Sequence, residues 1–454
     1  MLDSGKKIQT QRMNLAEIEA VLAKVSKPLH KSEVIESISI TCLPLSGFLK
    51  GLVPMLLLLS QRFIGVLSFI FLPTNQAILV AIVLVVLNLV VSDPPKGEGG
   101  FTVARPFTLA QARITAALEP FTKYEPPFWC FDNHWSTLLP LILFNAPPKP
   151  LRRQRLTARD GAGLGLDWFV PAGSPRGVIL ALPGLNGSSQ GGYVVDLMEN
   201  MGKEGFIVAV SNGRGVGRTG VRSSESIFHM GRTADLLECL EAVEDVIKGK
   251  DFPIYVIGYS AGGIRGVKFA AVYGKLLAGR VAGIVSFGGV VRNIATPSMR
   301  MSTSVYQPVI THAYAATMYH KLQSVSGISR PDLDDMFTRS SFTGFRDFDA
   351  RVTAVLHSMT IEEYEQRSFA YHDDRWRDIA IPTLIVNAVD DPVLHIDDAV
   401  VPEMALQNSN IMFLATKRGG HIGWPTGLSV RDGYRWMSDV ALSFMNAIES
   451  RDSV

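Results

Sequence analysis

Short apolar runs separated by amphipathic stretches set the pattern of the second half of the chain. Gly177 to Pro183, Phe206 to Ser211, Pro253 to Tyr259, Val281 to Phe287, Thr383 to Asn387 and Ile411 to Leu414 read as buried strands, while Tyr193 to Gly202 and Thr233 to Ile247 read as helices. Such alternation predicts a mostly parallel sheet with helices on both faces. Between Thr296 and Arg377 the pattern turns helical and polar, with aromatics at Tyr306, Tyr314, Tyr319, Phe337, Phe342 and Phe345. That stretch is predicted to be a helical cap, about residues 296–377, inserted between two strands of an α/β domain covering 151–454. No internal repeat is present.

The first hundred residues read differently. Residues 1–47 carry mixed charges and an amphipathic pattern from Leu15 to Val25, which predicts an N-terminal segment of cytosolic type. From Phe48 the composition turns apolar. Thr74 to Ser92 is close to the roughly 20 residues that a helix needs to cross a bilayer core, and Asp93-Pro-Pro95 stops it. Leu52 to Leu72 is also apolar but holds Pro54 and Arg62, and a central arginine costs about 2.5–3.5 kcal/mol on insertion scales. Residues 48–92 are therefore predicted to be a membrane anchor, with one span at about 74–92 and a two-helix hairpin as the second reading. The apolar region starts too far from Met1 for a cleaved signal peptide. Residues 93–150 form a Pro/Gly-rich linker and an entry segment into the α/β domain.

Composition narrows the chemistry. A net charge of +2 with 19% charged residues gives no electrostatic case for nucleic acid. The three cysteines, Cys42, Cys130 and Cys239, are too scattered for a disulfide framework or a zinc site, and neither a metal nor another cofactor is expected. Arg152, Arg153, Arg155 and Arg159 make a small basic cluster, read as a solvated face rather than a lipid contact.

The strand ending at Tyr259 runs into Gly258-Tyr-Ser-Ala-Gly262 and then a helix. A serine on such a sharp strand-to-helix turn is held above the sheet as a nucleophile, and the crowding of strand against helix favours glycine two residues either side, here Gly258 and Gly262. The pattern alone is weak, arising by accident in a chain this long with odds of roughly one in four. Gly187-Ser-Ser-Gln-Gly191 also matches, yet no strand runs into Ser189. A serine hydroxyl needs a base, and the base needs an acid. After the strand 381–387 come Asp390 and Asp391; Asp391, directly before Pro392, is the first choice and Asp390 stays open. After the last strand, Gly419-Gly-His421 offers the base from a glycine-rich loop with freedom to reach over the sheet edge. His395 lies too close to the acid to be chosen. Oxyanion donors are expected from the backbone N–H groups of Ala261 and Leu185, with Gly184 letting the backbone approach.

Leu182-Pro-Gly-Leu-Asn-Gly187, Asn212-Gly-Arg-Gly-Val-Gly217, Gly231-Arg-Thr-Ala-Asp-Leu236, the serine turn, Arg346-Asp-Phe-Asp-Ala-Arg-Val-Thr353, Asn387-Ala-Val-Asp-Asp-Pro392 and Gly419-Gly-His-Ile-Gly-Trp424 together resemble the AB hydrolase 4 family. Tyr124-Glu-Pro-Pro-Phe-Trp129, Asn133-His-Trp-Ser-Thr137 and Leu166-Asp-Trp168 extend the resemblance upstream. It implies an α/β-hydrolase fold, frequent N-terminal anchoring, and esterase or lipase activity on monoacylglycerols, phospholipids or short-chain esters, with Ser260, Asp391 and His421 as triad. Two places depart from the family pattern: Gly263, where an asparagine is frequent, and Ser286-Phe-Gly-Gly-Val290. No His-x4-Asp pair supports the acyltransferase motif of some relatives.

The expectation is thus a serine hydrolase on an endomembrane such as the endoplasmic reticulum, acting on a lipid or small ester. A thioesterase or acyltransferase with the same triad is the alternative, and an idle membrane scaffold is the reading from another class. Charges flanking the apolar run weakly favour a catalytic domain across the membrane from a cytosolic N-terminus. The sequon Asn186-Gly-Ser188, inside the oxyanion loop, argues for a hairpin that returns the domain to the cytosol. The oligomeric state is left open.

Overall fold

Alternation within the apolar runs sorts each strand's side chains onto two faces. The computed structural model describes residues 15–28, 99–103, 108–130, 132–143, 151–216, 227–292, 306–323, 325, 329–338, 342–394, 400–428 and 432–450. In chain order the strands are β1 (Ser26–Pro28), β2 (Gly100–Val103), β3 (Arg152–Thr157), β4 (Gly163–Phe169), β5 (Gly177–Leu182), β6 (Phe206–Asn212), β7 (Ile254–Tyr259), β8 (Gly283–Phe287), β9 (Thr383–Ala388) and β10 (Ile411–Thr416). In β5, Val178, Leu180 and Leu182 enter one buried cluster while Ile179 and Ala181 enter the other. In β7, Ile254 and Val256 part from Tyr255, Ile257 and Tyr259 in the same way. Helices Ala234–Val246 and Ala261–Leu277 cover the first face; Gly192–Lys203 and Arg435–Glu449 cover the second. Each large apolar side chain buried this way contributes about 1.5–3 kcal/mol over leaving it in water.

The sheet runs β1-β3-β4-β6-β5-β7-β8-β9-β10-β2. From β6 to β10 all neighbours are parallel, and the outer pairings β1–β3, β3–β4, β4–β6 and β10–β2 are antiparallel. The predicted mostly parallel sheet is present, with antiparallel margins that the apolar pattern does not disclose. Polar and arginine-bearing β3 has no such pattern to read.

Three readings are corrected. The N-terminal segment is no separate unit: Ile18 and Leu22, one turn apart on Leu15–Val25, are fully buried against the domain, and β1 pairs with β3. The linker likewise supplies β2, which pairs with β10, and helices Leu109–Leu118 and Asn133–Leu143. The solvated-face reading holds for the exposed Arg155 and Arg159 but not for Arg153, which β3 turns inward onto Asp167. The predicted anchor at 48–92 lies outside the described residues; among the described ones no helix is long and apolar enough to cross a membrane.

Between β8 and β9, where the inserted cap is predicted, stand helices Gln307–Leu322, Arg330–Thr338, Phe345–Phe348, Ala354–Leu356 and Ile361–Ser368, with a π-helical turn at Asp349–Thr353. Tyr314, Met318, Leu322, Phe348, Val352 and Leu356 give them a small core of their own.

Asp167, on β4, is the carboxylate that the sheet buries. It accepts from Arg153 Nε and Nη2 at 2.6 Å, from Ser189 Oγ at 2.6 Å and from Asn212 Nδ2 at 2.9 Å. Ser189, the serine of the second glycine-flanked match, is thereby a structural residue. Asp167→Ala removes the buried carboxylate that Arg153, Ser189 and Asn212 all hold and is expected to cost about 3–5 kcal/mol. Arg159→Ala, which breaks only an exposed pair with Glu241, is expected to cost under about 1 kcal/mol. Chemical denaturation of the two variants checks this, and comparable losses would show that the Asp167 network carries no special weight.

Candidate active site

The strand-to-helix turn after β7 holds Ser260 at φ 51° and ψ −119°, a conformation that costs of order 1–3 kcal/mol. Its backbone N–H donates to the Phe287 carbonyl at 2.8 Å, which ties the turn to the end of β8. Gly258 and Gly262 are required by contact: a Cβ at Gly258 would strike the Gly262 carbonyl, and one at Gly262 would strike that of Leu182. The two departures from the family pattern meet in space. A Cβ at Gly263 or at Gly289 would lie 2.5 Å from Ser286 Oγ, so the space given up at Gly263 is bordered by the serine of the other departing block.

His421 Nε2 lies 2.8 Å from Ser260 Oγ, and its Nδ1 lies 2.7 Å from Asp391 Oδ2. A carboxylate only accepts, so the ring proton belongs on Nδ1 and Nε2 is left to accept from the serine hydroxyl. Asp391 is fully enclosed, and its Oδ1 accepts from the N–H groups of Val393 at 2.8 Å and Leu394 at 2.9 Å. Both oxygens are therefore engaged, and the carboxylate cannot swing away from the imidazole.

Between the two candidate acids the geometry is unambiguous. Asp391 meets His421, whereas Asp390 Oδ1 accepts from the Gly420 N–H at 2.9 Å. The loop carrying His421 is clamped rather than free, contrary to the reading of its glycines. The His421 N–H donates to Thr137 Oγ1 at 2.9 Å, Thr137 Oγ1 donates to the Asn133 carbonyl at 2.7 Å, and Asn133 Nδ2 donates to the Asp390 carbonyl at 2.7 Å. A Cβ at Gly420 would crowd Asn133 and Thr137, and one at Gly423 would strike the Ser136 carbonyl. Close approach, not mobility, is what these glycines provide. Thr137 and Asn133 are positioning residues that the sequence reading left without a role, and Asp390, kept open there as the alternative acid, positions the loop instead; the block Asn133 to Thr137 was visible, but nothing local says what it touches.

Leu185 and Ala261 both line the space above Ser260, and neither backbone N–H has a hydrogen-bond partner among the described residues. Gly184 is less crowded than expected, since an added Cβ would meet the Ser260 Cβ at an ordinary 3.5 Å. The tight position is Gly187, where a Cβ would lie 2.7 Å from the Tyr193 hydroxyl. The pocket spans about 730 Å³ of space including its open mouth. Phe228, Met230, Ile264, Val290, Phe345, Phe348, Phe369 and Leu394 make most of its wall apolar. Among the described residues no group of three or more His, Cys, Asp or Glu side chains could hold a metal ion. Such a site can transfer a proton from a serine to an imidazole beside an apolar cavity.

Burial pushes the Asp390 carboxyl up to about 7, with the neighbouring Asp391 adding to the effect. The folded protein then holds a proton on Asp390 over a range where the unfolded chain has released it. The contribution of this group to stability is present below the ordinary carboxylate range and is lost as pH rises toward 7. Asp390→Asn keeps an acceptor for the Gly420 N–H and never ionises. Its stability relative to wild type is expected to rise between pH 5 and pH 8, as read from urea midpoints; a difference independent of pH would contradict a raised Asp390.

A sequence model described as the alpha/beta hydrolase fold matches residues 177–424. Phospholipase ABHD3 of Mus musculus is 28% identical over 72% of this chain and 78% of its own length. Monoacylglycerol lipase ABHD2 of Danio rerio is 25% identical over 72% of this chain and 80% of its own, and embryogenesis-associated protein EMB8 of Picea glauca is 23% identical over 74% of each. With the sheet order, the serine turn and a match covering more than half of its residues, the chain belongs to the α/β hydrolase fold family, in the group of these ABHD-like proteins.

Proposed function

We propose that the protein is a membrane-anchored serine hydrolase that cleaves carboxylic esters of lipids through an acyl-enzyme intermediate. The observation that carries this reading is the unbroken relay Asp391–His421–Ser260, opening into an apolar pocket. Relatives named as a phospholipase and a monoacylglycerol lipase support ester and lipid chemistry.

In this reading, Ser260 Oγ attacks the ester carbonyl as its proton passes to His421 Nε2. The imidazolium formed is stabilised by Asp391, whose two backbone donors hold Oδ2 toward Nδ1. Negative charge on the former carbonyl oxygen meets the unpartnered N–H groups of Leu185 and Ala261. Collapse of the intermediate breaks the bond to the alkoxy group, which leaves as an alcohol with the proton from Nε2. Water then attacks the acyl-enzyme, losing a proton to Nε2, and Ser260 recovers its proton as the fatty acid departs.

The flanks of the apolar stretch favour a hairpin over a single span. Residues 26–28 and 100–103 belong to one sheet. Both flanks therefore share one side of any bilayer, and a chain that leaves and returns on the same side crosses it an even number of times. A cytosolic face of an endomembrane fits this arrangement, since Asn186 of the only sequon lies beside the oxyanion loop with its side chain 3.4 Å from Thr317 Oγ1. Protease treatment of sealed vesicles is expected to remove tags from both chain termini; protection of one terminus alone contradicts the hairpin.

A fluorophosphonate probe is expected to label the wild type and to leave Ser260→Ala unlabelled. Asp391→Asn is expected to lower kcat for a lipid ester by about 10³–10⁴-fold, by analogy with triads whose acid is neutralised. Asp390→Asn is expected to stay within about tenfold of wild type. Undiminished labelling of Ser260→Ala, or equal losses at the two aspartates, would falsify the assignment.

A further inference from the structure

The pocket wall contains a polar patch that the proposed chemistry does not use. Thr311, Tyr314, Asp349, Thr353 and Tyr364 line the same cavity as Ser260. Thr311 is only 1% exposed, and its hydroxyl has no hydrogen-bond partner among the described residues. An unpaired buried hydroxyl destabilises the fold, so a ligand that supplies a partner recovers that loss. Tyr314 stands one turn further along the same face of its helix, with its ring 5.1 Å from that of Phe348 and its phenol within the field of Asp349.

Asp349 is half-buried and lines the cavity. Burial pushes its carboxyl up to about 7, against the opposing hydrogen bonds of Thr353 and Tyr364. It opens the π-turn Asp349–Thr353, a widened turn of the kind that recurs at functional sites. The turn sits in the block Arg346 to Thr353, which the triad chemistry leaves unexplained. Among the described residues no Lys, Arg or His lines the cavity.

We infer that Thr311 and Asp349, backed by Tyr314, Thr353 and Tyr364, form a subsite that hydrogen-bonds an uncharged hydroxyl of the substrate. This inference rests on the serine-hydrolase reading and adds a selectivity to it. Thr311 both donates and accepts, and Asp349 accepts from a hydroxyl in either protonation state. A phosphate in the same place would set a second anion beside a carboxyl, with no cation among the described lining residues to offset it. The site therefore selects an ester that places an uncharged hydroxyl here over one of equal chain length that has a phosphate in that hydroxyl's place.

The test uses the full chain in detergent micelles with three substrates of one acyl length: a monoacylglycerol, the methyl ester and a lysophosphatidylcholine. Wild type is expected to prefer the monoacylglycerol in kcat/KM by about tenfold over each of the others, the scale of one good hydrogen bond. Thr311→Val is expected to raise KM for the monoacylglycerol about tenfold more than for the methyl ester, and Thr311→Ser to restore the preference. Asp349→Asn, which keeps hydrogen bonding and removes the charge, is expected to narrow the discrimination against the phosphate-bearing ester. Wild type that reacts with the fluorophosphonate but shows no preference, or Thr311→Val that weakens all three substrates equally, overturns the subsite alone. Wild type that fails to react removes the hydrolase reading and this inference with it.

Discussion

The close contact of β7, the Ser260 turn and the helix Ala261–Leu277 is the constraint on which the remainder of the site depends. Gly258, Gly262 and the Leu182 carbonyl occupy so little space that no side chain fits between them. The strained serine backbone persists because its neighbours over-determine it: the Ser260 N–H is held by Phe287 and the following helix starts at Ala261. Raising the hydroxyl here puts it at the carboxyl ends of parallel strands, where the turns after β9 and β10 deliver Asp391 and His421. Residues 131 and 161 positions distant in the chain thus meet over one edge, because the sheet fixes where each turn emerges.

What could be read from the chain follows from what is local. The central strands were legible because each is buried on both faces, which demands a continuous apolar run, and Ser260, Asp391 and His421 were legible because each directly follows such a run. The clamp on the His421 loop was not, since Thr137 and Asn133 act across nearly three hundred residues of sequence and nothing in their own neighbourhood names the partner. Strand β3 was hidden for another reason. Its inward arginine is compatible with a buried strand only because Asp167 on β4 answers it, so the polar residues read as surface until both strands are seen together.

Two different solutions keep carboxyl groups inside this fold. Asp167 stays among strong donors, with a guanidinium, a hydroxyl and an amide arranged around it. Asp390 and Asp349 have no facing cation among their hydrogen-bond partners and instead hold their protons to about neutral pH. The first arrangement stiffens a sheet margin; the second leaves a carboxyl able to change state within the ordinary range of cellular pH, one beneath the histidine loop and one in the cavity wall.

The outermost strands give the sheet an unusual order of completion. β1 is made before β3, against which it lies, and Arg152, which donates to Ser26, follows it by 126 residues. β2 likewise waits for β10, made roughly three hundred residues after it. Until those partners arrive both segments are unpaired, and a chain that never closes them exposes sheet edges able to recruit other chains. Because residues 29–98 join the two margins, the placement of that stretch early in biogenesis is coupled to whether the catalytic half matures or aggregates.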